Sequence, residues 1–232
     1  NEKIIGEATT GYLFDPNSAR LLFEHYNNSK ILIVLRNPID MMYSFWGFMS
    51  SHGNETRSFP DIIQSVKSSL TEIDNMQLVG RNENYAYFNR ALYYNQVNRY
   101  MKIFNPKNIH IIIYEDLIAQ PQQNLSDIFN FLGIKEEPSI TLPRLNEAGV
   151  VKSQFLHRVI HKKYSSLLGF FPVTIRSSLR LWLKAFNTRK AKRPKLKIDA
   201  RIELWKLFKN DVEKLESVLK RSDLIKKWGP EK

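Results

Sequence analysis

Two short runs constrain this chain most. "ILIVL" spans Ile31 to Leu35, and "NIHIIIYEDL" holds a second strand, Ile109 to Tyr114. Both are almost wholly apolar and mostly β-branched. A strand wet on one face would alternate apolar with polar residues. Continuous apolar character instead belongs to strands of a parallel sheet covered on both faces. Parallel neighbours need a helical crossover, and the intervening sequence supplies helical patterns. Pro38 opens one that Ile39 to Phe48 continue. Phe59 to Leu70 forms another, and Tyr85 to Phe104 reads as one long amphipathic helix. Upstream, "KIIGE" (Lys3–Glu7) reads as a short strand. "DPNSARLLFEHYNN" reads as a helix with Asp15 as N-cap and Pro16 in its first position. Downstream, Pro121 opens a helix to Leu132 that Gly133 stops. Residues 138–152 read as loop, and Ser153–Leu168, Pro172–Phe186 and Asp199–Leu219 as helices. "NTRKAKRPKLK" (Asn187–Lys197) is a basic loop. The order predicts an α/β fold: a parallel β-sheet flanked by helices on both faces.

Composition narrows the function classes. The 232 residues suffice for one α/β domain, and 43% hydrophobic content excludes a disordered chain. There is no cysteine, which removes disulfides, thiolate metal sites and cysteine nucleophiles. No run approaches the roughly 18–20 apolar residues that span a membrane. The formal charge of +12 is uneven. Residues 1–150 hold 13 Lys and Arg against 16 Asp and Glu, whereas residues 151–232 hold 22 against 7, a net of +15. The cationic field therefore belongs to the last third. It points to a polyanion, a phosphorylated cofactor or an anionic surface.

The end of the first strand carries a candidate anion site. In open parallel sheets, ligands bind beyond the carboxyl ends of the strands. Arg36 stands there, and Asn37 and Pro38 turn the chain into a helix whose N-terminal N–H groups point back toward it. Ser44 follows Arg36 by eight residues, about two turns of a helix with ~3.6 residues per turn. A guanidinium fork and a hydroxyl can together hold a phosphate. Spacing alone leaves a plainer alternative open, in which Arg36 pairs with Asp40 and Ser44 faces solvent.

The stretches "GEATTGYL" and "ILIVLRNPIDMMYSFW" resemble the PAPS-dependent sulfotransferase family, whose pattern is a strand, Arg-Asn/Asp-Pro, and a Ser eight residues after the Arg. "LYYNQVNRYMKIFNPKNIHIIIYEDLIAQPQQNLSDIFNFLGI" resembles the family's middle section, and "LWKLFKNDVEKLESVLKRSDLIKKW" its closing helix and terminal Trp. The likeness is nearest to bacterial and carbohydrate-type members, with Thr10 where those carry proline. The resemblance implies a P-loop nucleotide-kinase-like fold and a single sulfotransferase domain over residues 1–232. It implies 3′-phosphoadenosine 5′-phosphosulfate (PAPS) as co-substrate, its 3′-phosphate held by Arg36 and Ser44, and no metal. Arg189 and Lys190 lie at the distance from the closing helix where the family has an Arg-Lys-Gly loop over that phosphate. Ala191 replaces the glycine, and a solvated basic loop is the alternative. "NEAGVVKSQFL" resembles another loop near the cofactor and would place Lys152 and Ser153 there.

The family's opening strand and its lysine-bearing loop, of the type Pro-Lys-x-Gly-Thr-Thr/Ser, have no counterpart here. The chain therefore reads as a piece of a longer enzyme, with the lysine and the catalytic base upstream of Asn1. A degenerate, inactive scaffold is the alternative. From another class comes a polyanion or nucleic-acid binding module built on the basic third, although the aromatic interleaving of single-strand binders is missing there.

The remaining candidates are weaker. His157 and His161 are spaced like metal ligands, but Arg158, Lys162 and Lys163 repel a cation. His52 ends the helix that bears Ser44. Glu7 reads as a structural hydrogen-bonding residue, Glu115 and Asp116 as caps of the next turn, and Tyr93 and Tyr94 as core. "FPVTIRSSLRLWLKAF" is a basic amphipathic helix with Arg176, Arg180 and Lys184 on one side and Leu179, Trp182, Leu183 and Phe186 on the other. It reads first as core-facing, with docking to an acidic carrier protein or a membrane surface as alternatives. The basic segment 151–198 is expected to cover cofactor and acceptor, the acceptor bearing a hydroxyl or amine. A cytoplasmic location is expected for a bacterial source, a Golgi lumen being the alternative.

Overall fold

A computed structural model describes residues 4–52, 54–72, 86–135, 149–151, 153, 182–183, 186, 188–190 and 194–230. These group into two compact units. One comprises Asn1–Met41, Phe88–Leu142 and Arg201–Lys232; the other comprises Met42–Tyr87 and Pro143–Ala200.

The first unit is organised by β1 (Ile31–Leu35) and β2 (Ile109–Ile113), paired in parallel with Leu35 opposite Ile113. Ile33 and Leu35 are buried, whereas Leu32 and Val34 are 41% and 52% exposed. Cover on both faces of β1, expected from its composition, is met on only one face among the described residues. Against the buried face packs a core of Tyr93, Val97, Tyr100, Phe104, Val212, Leu215, Leu224 and Trp228. It brings together α1 (Ser18–His25), α5 (Tyr93–Ile103), α8 (Ile198–Leu219) and α9 (Leu224–Trp228). A single turn of 3₁₀ helix, Pro106–Asn108, leads into β2. After β2 the chain enters α6 (Tyr114–Ala119) directly, then α7 (Pro121–Leu132). Gly133 ends α7 at φ 75, a left-handed conformation natural to glycine.

Several expectations change. Residues 4–9 form no strand, and Ile5 is 91% exposed. β-Branched residues alone do not make a strand; its backbone groups need a neighbour to bond. Asp15 does not cap α1 directly. Its carboxylate accepts from the Asn17 N–H and the Ser18 hydroxyl, and the helix starts at Ser18. The long helix expected over Tyr85–Phe104 is broken into α4 (Ala86–Asn89) and α5. The break is fixed partly from outside the segment. Asp211 of α8 accepts from the Tyr93 and Tyr94 N–H groups at 2.7 and 3.2 Å. Gln96, buried, donates its amide to the carbonyls of Leu92 and Asn89.

A polar cluster ties α9 to α6. Arg221 reaches Asp116 at 2.9 Å and Asp223 at 2.7 Å, and Lys227 bonds both carboxylates. Burial opposes ionisation of Asp116, but hydrogen bonds from Lys227 and Arg221 outweigh it and hold its carboxyl below the usual range. Asp223 is lowered too, first by Arg221. Asp116 is therefore a tertiary partner and not the cap of a turn.

The second unit holds Met42–Ser51 of α2 (Pro38–Ser51), with α3 (Phe59–Glu72). Met42, Ile62, Ile63 and Val66 are buried, and Tyr43, Trp46 and Phe59 form an aromatic cluster. Glu55, buried at 7% exposure, closes the α2–α3 loop by accepting from Arg57 and from the Tyr87 hydroxyl. Here also β3 (Gly149–Val151) pairs antiparallel with β4 (Thr188–Lys190). Both segments were expected to be loop. Three-residue strands in polar surroundings leave no periodic signature. The helices expected over Ser153–Leu168 and Pro172–Phe186 lie almost entirely outside the described residues.

Candidate functional site

The register of β1 and β2 decides what meets at their carboxyl ends. Since Leu35 faces Ile113, the next residues, Arg36 and Tyr114, leave the sheet side by side. The Arg36 guanidinium lies over the Tyr114 ring, 5.0 Å from its centre, a cation–π arrangement that orients the fork. Tyr114 escaped the sequence reading. Its signal was its place directly after a buried strand.

Asp40, the partner that spacing alone offered to Arg36, is taken by Arg201 at 2.6 Å. Among the described residues Arg36 makes no ion pair, so its charge is not spent on a carboxylate. The chain turns at Asn37, which is buried. Its Oδ1 accepts from the Ile39 N–H at 3.0 Å and, more weakly, from the Asp40 N–H at 3.4 Å, while its carbonyl accepts from the Met41 N–H. Pro38 has no N–H. The first-turn amides of α2, expected to face an anion, are thus already used, because Asn is a strong N-cap. The positive end of the helix dipole remains.

The turn is held by a closed ring of three hydrogen bonds. The Asn37 N–H donates to Glu115 Oε1 at 2.9 Å, the Trp228 Nε1–H to Glu115 Oε2 at 3.0 Å, and Asn37 Nδ2 to the Trp228 carbonyl at 2.9 Å. Glu115, expected to cap a turn, instead joins β1's exit to the C-terminal helix. Tyr93 lies under the same turn, fully packed. Burial holds its hydroxyl well above the usual range, so it stays neutral.

Ser44 is the seventh residue of α2 and half-buried. One residue earlier, the Tyr43 hydroxyl donates to the Pro194 carbonyl at 3.0 Å, which tethers the stretch after β4 to α2. Arg189 and Lys190 lie in β4, not in a loop, with Lys190 opposite Gly149 and Arg189 opposite Val150. Lys152 lies outside the described residues, as do Ala191, His157, His161, Arg176, Leu179, Arg180 and Lys184. The two segments that resemblance set near a cofactor are thus brought together as one strand pair.

His52 is occupied locally. Its Nδ1 lies 2.8 Å from the Phe48 carbonyl and its ring packs on Phe48. Glu7, exposed, accepts from the Thr9 and Tyr12 hydroxyls, and these bonds, chiefly that from Tyr12, hold its carboxyl below the usual range. Among the described residues no group of three or more His, Asp or Glu is arranged to hold a metal ion.

A family model, the sulfotransferase domain, matches residues 17–149, more than half of the chain. The chain belongs to that family. A crystal structure of a sulfotransferase from Alicyclobacillus acidocaldarius superposes with a TM-score of 0.59 at 23% identity, over 94% of this chain and 65% of that one. The fold is the α/β sulfotransferase fold, with the sheet here reduced to its parallel pair among the described residues. A curated relative, the membrane-associated sulfotransferase kil1 of Dictyostelium discoideum, is 22% identical in an alignment that covers 58% of this chain and 44% of the relative. The chain thus spans less than half the length of that relative.

Proposed function

We propose that residues 1–232 form one sulfotransferase domain that serves sulfuryl transfer from PAPS to a hydroxyl or amine of a carbohydrate, lipid or other small acceptor. The observation that carries this reading is Arg36. It sits at the carboxyl end of β1 inside the family-matched region, oriented on Tyr114, with Asp40, the acid that spacing offered it, already paired to Arg201. A half-buried guanidinium without a carboxylate suits a phosphate dianion. In this proposal Arg36 and Ser44 hold the 3′-phosphate, and Arg189, Lys190 and Lys152 cover it. In the transfer, the acceptor oxygen or nitrogen bonds to sulfur as the bond from sulfur to the 5′-phosphate oxygen breaks. A base takes the acceptor's proton, and adenosine 3′,5′-bisphosphate leaves.

Calorimetric titration of the chain with adenosine 3′,5′-bisphosphate and with 5′-AMP, at low and moderate salt, tests the reading. The expected result is a clear preference for the bisphosphate at both salt concentrations. Equal weak binding of the two nucleotides, falling steeply with salt, contradicts it and favours the polyanion module.

One observation extends the proposal to a partner. Trp182 and Phe186, expected to face the core, are 61% and 59% exposed and stack at 5.7 Å. Two exposed aromatics within a strongly cationic third suit an anionic lipid surface. No helix among the described residues is long and apolar enough to cross a membrane. Sedimentation with phosphatidylserine vesicles is expected to carry the chain down, phosphatidylcholine vesicles are not, and Trp182→Ala with Phe186→Ala weakens the effect. Equal sedimentation with both lipids, or none, removes the lipid surface in favour of an acidic protein.

A further inference from the structure

We infer that Glu115 is a positioning residue for Arg36, acting through the hydrogen-bonded ring it shares with Asn37 and Trp228; the inference rests on the phosphate-binding reading of Arg36 above. Three observations lead to it. First, both oxygens of the Glu115 carboxylate are used by neutral donors, the Asn37 N–H and the Trp228 Nε1–H. A carboxylate so close to the β1 exit would otherwise be free to swing onto the guanidinium and cancel the charge an anion needs. Second, the atom held is the backbone amide directly after Arg36, so the bond fixes the peptide from which that side chain departs. Third, Glu115 directly follows Tyr114, the ring on which the guanidinium rests. One carboxylate therefore holds both the peptide and the platform of Arg36.

The third corner is rigid. Trp228 is fully buried, and its carbonyl accepts from Asn37 Nδ2, closing the ring. Residues 78 and 191 positions apart from Asn37 meet here. Helix N-capping needs only the Asn37 side chain, and core packing needs only the indole rings. Neither requires an acid at position 115. A fork that must meet a phosphate with two parallel bonds does require a fixed origin, since small displacements at a preorganised site cost large factors in binding.

Glu115→Gln tests this. An amide cannot accept from both donors, because its NH2 group meets one of them. Affinity for adenosine 3′,5′-bisphosphate is expected to fall about tenfold, one lost charge-assisted bond's worth, while affinity for 5′-AMP stays unchanged. Trp228→Phe, which keeps the packing and loses one donor, shifts the same ratio in the same direction. In an Arg36→Ala background, Glu115→Gln has no further effect on the ratio. A lowered unfolding midpoint with the nucleotide ratio unchanged makes Glu115 merely structural and overturns the inference alone, provided Arg36→Ala does abolish the preference. Absence of any bisphosphate preference in the unmodified chain, or its survival in Arg36→Ala, overturns the phosphate-binding reading and the inference with it.

Discussion

Replacing Trp228 by alanine lowers the unfolding free energy by about 3–5 kcal/mol, the range for truncating a large buried aromatic. The side chain exposes no surface and packs among Leu35, Tyr93, Ile113 and Leu224, its ring centre 6.2 Å from that of Tyr93. Truncation leaves a cavity beneath β1 and strips Glu115 of a donor. Domains of this size hold only about 5–15 kcal/mol in reserve, so the variant sits near the threshold of folding. Trp228→Phe retains most of the packing and is expected to cost about 1–2 kcal/mol. Urea unfolding of the two variants beside the unmodified chain measures both. A loss for Trp228→Ala no larger than that for Trp228→Phe places the C-terminal helix outside the core and contradicts the description given above.

The second large effect concerns Asp211. Burial pushes its carboxyl up to about 6, against the hydrogen bonds from the Tyr94 and Tyr93 amides that favour the charged form. The sign follows from linkage. Between the ordinary carboxyl value near 4 and about 6, the folded chain keeps a proton that the unfolded chain has lost. Stability contributed by this group therefore falls as pH rises through that window, by on the order of 2–3 kcal/mol, and is level above it. Asp211→Asn keeps an acceptor for the α5 amides and removes the charge. The difference in stability between variant and unmodified chain is expected to shift in the variant's favour from pH 4 to pH 6.5. Asp211→Ala removes the acceptor altogether, leaves two helix-terminal N–H groups without it, and costs about 1–3 kcal/mol more than Asp211→Asn at any pH. Denaturant melts at several pH values read both. A pH-independent difference for Asp211→Asn contradicts the burial of that carboxyl.

Asp211 also shows where sequence reading reached its limit. β1, α2, β2, α7 and the Gly133 stop were legible because each is written in local terms: apolar runs, a proline at a first helical position, a glycine at a left-handed end. The interruption between α4 and α5 was not, because amphipathic periodicity continues through it. What breaks the helix is a carboxylate 118 residues away and the Gln96 amide turned back onto carbonyls. β3 and β4 were missed for a different reason: antiparallel strands of three residues carry no period. The likeness of Lys3–Glu7 to a strand came from composition without a neighbour to pair with.

The candidate site divides in the same way. Arg36 could be placed at a strand end from the apolar run before it, but its role came from the family pattern, since spacing left Asp40 as an equal partner. Only the fold sends Asp40 to Arg201. The ring of Glu115, Asn37 and Trp228 has no local signature, its members being far apart in sequence. Conversely, the sequence suggested free amides at the start of α2 that the structure denies, since Asn37 caps its own helix. An anion at this turn is therefore to be met by side chains, chiefly a guanidinium, and not by a nest of backbone N–H groups. That distinction makes the site sensitive to a single substitution.

The most direct measurement is the ratio of affinities for adenosine 3′,5′-bisphosphate and 5′-AMP, taken by calorimetry on the unmodified chain and on Arg36→Ala. A ratio well above one that collapses to about one in the variant is the result expected when a guanidinium supplies a charge-assisted contact to the extra phosphate. An identical ratio in the two proteins contradicts the account.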